Sequence, residues 1–315
     1  MIKRGVINRI VWKTGALLAF AAPAIGTLTV PFMAHAMQEN NSASSSSIQV
    51  ATFSPPPSCP AYEMPPLHLK NLRDALEDNE QVVIVAIGSS STQGWMSSDI
   101  GASYPALLQK ELSEALPHAH IAVINRGIGG EDVAEETPRL QSDALDVHPQ
   151  VVIWQVGANG AMRNISPDVF RKMVMAGVVR MHKASADVVL MDNQRAPRII
   201  ATKEGPLLDS TMASIAHKTG AALFQRGQLM DHWRDMGHPY ADFIASDGLH
   251  HNDLGYRCVA HALAQAILAG LKETGAKQDT ISGLPHHAAH PAVRKASPGD
   301  AHGPDGDDDG DDDGS

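Results

Sequence analysis

The sequence predicts an α/β domain in which helices cover both faces of a parallel sheet of about five strands. Two observations predict it. Short apolar runs, bounded by Gly, Asn or Asp, recur at 82–87, 121–124, 151–156, 188–191 and 221–224, and such runs read as strands buried on both sides. Between them lie segments with apolar residues at helical spacing. Strand–helix alternation of this kind implies right-handed crossovers, hence parallel strands.

The ends of the 315-residue chain differ in composition from its middle. Residues 1–36 have the order of a secretory signal: Lys3, Arg4, Arg9 and Lys13, an apolar stretch over 15–33, then Ala34-His35-Ala36, small residues that signal peptidase accepts. Cleavage after Ala36 is expected. The alternative is an uncleaved anchor, because the stretch approaches spanning length, although Pro23, Gly26 and Pro31 interrupt it. Residues 37–65, rich in Ser, Asn and Pro, are expected to be a flexible linker. Residues 66–273 are expected to form the folded domain. Residues 274–315 hold too few large apolar side chains to offset their ordering entropy and are expected to be a disordered acidic tail rich in His, Asp and Gly. No second apolar stretch reaches spanning length, so the mature protein is expected in the periplasm or secreted, with no transmembrane segment.

The net charge of −10 belongs mostly to that tail, where eight aspartates fall in the last sixteen residues. Without those sixteen residues the chain carries a net charge of −2 and has no basic stripe, which argues against nucleic acid as a partner. His286, His287 and His290 match no defined metal spacing. Cys59 and Cys258 are the two cysteines. In an oxidising compartment they can form one disulfide stapling the segment before the domain to its last helix; the alternative is two unrelated thiols.

Helices follow in order. Pro105 opens one carrying Tyr104, Leu108 and Leu112. Ser166-Pro167, an N-cap and first-turn pair, opens the next, with Phe170, Val174, Val178 and Met181 on one face. A third holds Leu208, Met212 and Ile215, and the last holds Val259, Leu263 and Ile267.

Ligands of parallel α/β sheets bind at the carboxyl ends of the strands, so chemistry is sought just after each apolar run. The first is followed by Gly88-Ser89-Ser90-Ser91-Thr92-Gln93-Gly94, where a hydroxyl in a tight turn can face substrate; alone, such a turn is usually only a turn. The second is followed by Asn125-Arg126-Gly127-Ile128-Gly129-Gly130-Glu131, whose glycines allow close backbone approach or merely positive φ. The third ends in Gly157-Ala158-Asn159-Gly160, where the Asn159 amide can donate to an oxyanion or organise the turn. Near the end stands Asp247-Gly248-Leu249-His250. A carboxylate three residues before an imidazole can reach its Nδ1–H, fixing the tautomer and stabilising the imidazolium.

Gly88-x-Ser90-x-Thr92-x-Gly94, Gly129-Gly130, Gly157-x-Asn159 and Asp247-x-x-His250 share the order and spacing of the SGNH (GDSL-like) hydrolase superfamily, which this chain resembles over about two thirds of its length. The resemblance implies a three-layer α/β/α, flavodoxin-like sandwich. It also implies Ser90 as nucleophile, His250 as base and Asp247 as its orienter. The oxyanion hole would be formed by the backbone N–H groups of Ser90 and Gly130 and the side chain of Asn159. No metal or cofactor is required. Two positions depart from the family: Ser89 replaces the usual Asp of Gly-Asp-Ser-Leu, and Gly160 follows Asn159 where many members have Asp. Ser89 and Ser91 remain rival nucleophiles if the register shifts.

The expected activity is that of an exported serine esterase acting through an acyl-enzyme on carboxylic esters, with short acyl groups such as acetyl on extracytoplasmic glycans as the expected substrates. Alternatives are an O-acyltransferase using the same residues and a non-catalytic glycan-binding or assembly protein. Gln194, Arg195 and Arg198, after the fourth strand, either line the substrate cleft or lie in a surface loop. Trp95, close after the Ser90 turn, either shapes the acyl pocket or packs on the core.

Overall fold

A computed structural model describes residues 48–51 and 58–273. The expected signal peptide, most of the linker, and the acidic tail with its histidines lie outside the described residues. Five parallel strands, β1 (Val82–Gly88), β2 (Ile121–Gly127), β3 (Val151–Gln155), β4 (Asp187–Met191) and β5 (Ala222–Phe224), form one sheet in the order β2-β1-β3-β4-β5. Each matches an expected apolar run. The helices are α1 (Lys70–Glu77), α2 (Ser90–Gln93), α3 (Tyr104–Ala115), α4 (Val133–Arg139), α5 (Ala158–Met162), α6 (Pro167–Lys183), α7 (Pro197–Ile200), α8 (Glu204–Thr219), α9 (Arg226–Asp235) and α10 (Asp253–Lys272).

Alternation along each strand divides the core into two layers, because successive side chains point to opposite faces. Ile84, Ala86, Val151, Ile153, Val189 and Met191 face a cluster built with α1, α3, α9 and α10. Val85, Ile87, Val152, Trp154, Val188 and Leu190 face a second cluster built with α4, α6 and α8. This is the three-layer sandwich. The Ser166 side chain caps α6 by accepting from Val169 N, and Pro167 takes the first turn, as the local sequence requires. Helix α10 is long and apolar enough to cross a membrane by composition, but most of it is buried against α3 and the sheet.

One boundary differs from expectation. Residues 48–51 and 58–65, assigned to a flexible linker, contact the domain. Ile48, Val50 and Tyr62 pack on its core, Met64 is buried, and Ala51 N donates to Ala115 O at 2.8 Å. Cys59 and Cys258 form a disulfide with Cα atoms 5.3 Å apart, joining this segment to α10. A few apolar side chains suffice to anchor a segment whose average composition is that of a tether.

Candidate active site

The strand order places the site. The chain leaves β1 for β2 on one side and then crosses to β3 on the other, so a crevice opens at the carboxyl ends of β1 and β3. Gly88 pairs with Gly127 on one side and with Gln155 on the other, so all three following turns leave the sheet at one level. Gly127 is needed for close approach: a Cβ there would lie 2.1 Å from Gln93 N, in the turn after β1.

Ser90 is the first residue of α2, so its N–H has no acceptor one turn back in its own helix. Its Oγ lies 2.8 Å from His250 Nε2, and His250 Nδ1 lies 2.5 Å from Asp247 Oδ2. With the carboxylate at Nδ1 the imidazole proton sits there, and Nε2 accepts from the Ser90 hydroxyl. Asp247 Oδ1 also accepts from the backbone N–H groups of Leu249 and His250, each at 3.0 Å. Partial burial alone would raise its pKa, but the His250 hydrogen bond and these two N–H groups hold the carboxyl below its ordinary value. It stays charged where an imidazolium would need it.

The rival serines are both buried and engaged. Ser89 Oγ donates to Gln155 Oε1 at 3.1 Å, and Ser91 Oγ accepts from Arg226 Nη1 at 2.8 Å. Ser90 alone of the three meets an imidazole. The loop after β2 adopts positive φ at Gly130 (+85°), and Arg163 Nη2 fixes its carbonyl at 2.8 Å while Arg163 Nη1 pairs with Asp132 and Glu135. Asn159 Nδ2 donates one hydrogen to Glu131 O at 2.7 Å, which orients the amide and keeps its second hydrogen for a ligand.

Gln194 borders a pocket with Arg195 and Ile199, apart from Ser90 and His250. It is buried, with Nε2 donating to Leu249 O at 3.0 Å and Oε1 accepting from Arg226 Nη2 at 2.7 Å. One end of its amide holds the loop that carries His250, and the other meets the Arg226 guanidinium. Arg195 is also occupied, paired with Asp209 and Asp231 at 2.9 Å each. Arg198 is exposed beside that loop, its N–H donating to Gly248 O at 3.1 Å. Trp95 is 55% exposed, its ring centroid 6.4 Å from that of His250.

Sequence reasoning missed three supports. Gln155 Oε1 accepts from Ser89 N, Ser89 Oγ and Thr92 Oγ1, each at 3.1 Å, and so fixes the turn that carries Ser90. A polar residue closing the apolar run 151–154 was a readable sign of it. Arg226 and Arg163 gave no local sign, because their partners are distant in the chain.

The model of the Non-GDSL lipase-like family matches residues 57–273. An arylesterase of Vibrio mimicus is 26% identical over 190 residues, covering 60% of this chain and 89% of that protein. The crystal structure of a lipase/acylhydrolase from Enterococcus faecalis superposes with a TM-score of 0.52 at 21% identity, covering 59% of this chain and 94% of that one. A two-domain esterase active on acetylated mannans gives 0.55 at 23% identity, over 66% of this chain and 55% of that one. The absent Asp of the Gly-Asp-Ser-Leu motif agrees with the name of the matching family. The chain belongs to the Non-GDSL lipase-like family, within the SGNH hydrolase superfamily.

Proposed function

We propose that this carboxylic-ester hydrolase works through Ser90, His250 and Asp247, is exported, and removes short acyl groups such as acetyl from extracytoplasmic glycans. The observation that carries the triad is the unbroken relay from Ser90 Oγ through both imidazole nitrogens to Asp247. Ser90 attacks the ester carbonyl as His250 Nε2 takes its proton. The tetrahedral oxyanion is met by the N–H groups of Ser90 and Gly130 and by Asn159 Nδ2, and each such donor is worth about 10²–10³ in rate. His250 then protonates the departing alcohol, and water repeats the cycle on the acyl-Ser90 ester. Export is supported by the charged, apolar and small-residue order of residues 1–36, and an extracytoplasmic location motivates the glycan substrate.

The test is Ser90→Ala beside the unaltered protein, with a fluorophosphonate probe and a panel of acyl-chain lengths and acetylated glycans. The variant is expected to lose labelling and turnover while its melting temperature holds. Near-normal hydrolysis by Ser90→Ala overturns the assignment, and preference for long acyl chains overturns the substrate class.

A further inference from the structure

The direction of proton transfer divides the space above Ser90. The ester oxygen that becomes the oxyanion must lie toward Gly130 and Asn159, and the alcohol must leave on the imidazole side, where Nε2 delivers its proton. Trp95 stands on that side. Its indole is tilted by 52° to the His250 ring at 6.4 Å, and 55% of the residue is open to solvent. Its backbone is held from two directions. Trp95 N donates to Ser90 O at 2.9 Å, and Trp95 O accepts from Tyr256 OH of α10 at 2.7 Å. Gly94, at φ +95°, ends α2 just before it. The core therefore holds the residue in place while its large aromatic face stays uncovered, which is an arrangement preorganised for stacking.

Building on the triad assignment, we propose that Trp95 forms a leaving-group subsite whose indole face takes the flat face of a ring-bearing alcohol, either aryl or pyranosyl. The acyl portion does not touch it. Selectivity for the alcohol is thus set by a residue five positions after the nucleophile, on the same turn that carries Ser90.

The test compares Trp95→Ala and Trp95→Phe with the unaltered protein on phenyl acetate, a mono-O-acetylated methyl glucoside and ethyl acetate. Each variant is referred to the unaltered protein on the same ester, so intrinsic reactivity cancels. Trp95→Ala is expected to lose about three- to tenfold in kcat/KM on ring-bearing esters, mostly through KM, with little change on ethyl acetate, and Trp95→Phe to recover most of the loss. A loss on only one of the two ring classes still supports the subsite and names its natural occupant. An equal loss on ethyl acetate with a shifted pH profile overturns the proposal, since Trp95 would then act through His250. No loss on any ester overturns it too. If the unaltered protein hydrolyses none of the three, the triad assignment falls with it.

Discussion

Replacing Arg226 with methionine removes the cation that ties the turn of Ser90 to the loop of His250. Arg226 is fully buried at the start of α9 and makes four hydrogen bonds. Nε and Nη2 donate to Asp192 O at 3.1 and 2.9 Å, Nη1 donates to Ser91 Oγ at 2.8 Å, and Nη2 donates to Gln194 Oε1 at 2.7 Å. Gln194 passes the connection to Leu249 O, beside His250. Methionine fills much of the same volume but leaves three buried acceptors without a donor. At about 1 kcal/mol for each, and more for groups that lose a charged partner, Arg226→Met should cost about 3–5 kcal/mol. Urea unfolding reads this as a lower midpoint at constant slope. Turnover of every ester should fall together, because the loosened element carries His250 and not a substrate-specific contact. A loss below about 1 kcal/mol would refute the reasoning, since such a network could not then be holding the two loops in place.

Glu136 gives a pH test. It is buried with Trp154 Nε1 donating to Oε2 at 2.7 Å, and burial pushes its pKa up to about 8 against the opposing pull of that bond and of Arg139. Its contribution to stability is fully present below the ordinary carboxylate range and is lost as pH rises through about 8. Glu136→Gln should therefore flatten the melting temperature across that window and exceed the native protein above it; an unchanged slope would rule this out. The Cys59–Cys258 bridge closes a loop with a sequence separation of 199, for which chain entropy gives an upper value of about 5 kcal/mol. The double serine variant should unfold at lower urea yet turn over normally where it is folded, and equal midpoints would count against the bridge as a stabiliser.

The strands were legible because each is built on a short apolar run whose length fits one crossing of the sheet. β2 extends three residues beyond its expected end at 124, since Asn125, Arg126 and Gly127 pair with Ala86, Ile87 and Gly88 although two of them are polar. Ladder hydrogen bonds held them where composition could not show it. The convergence of Ser90, Asp247 and His250 was legible because each lies in a short local pattern and the patterns keep a fixed order. The burial of Gln194 was not legible, for the opposite reason. Local composition marks a polar turn on the ligand-binding edge, yet a buried guanidinium 32 positions later draws that amide inward. The packing of Ile48, Val50 and Met64 escaped notice because single apolar anchors vanish in the average composition of a Ser- and Pro-rich stretch.

Ser90, Gly130, Asn159, Asp247 and His250 all lie between Cys59 and Cys258, so the bridge encloses the entire candidate site in one covalent ring. A protease that cuts one peptide bond within that ring opens it without producing separable pieces. The cut chain would run as two fragments only after reduction, and Ser90 and His250 would remain tethered through sulfur even when the backbone between them is broken.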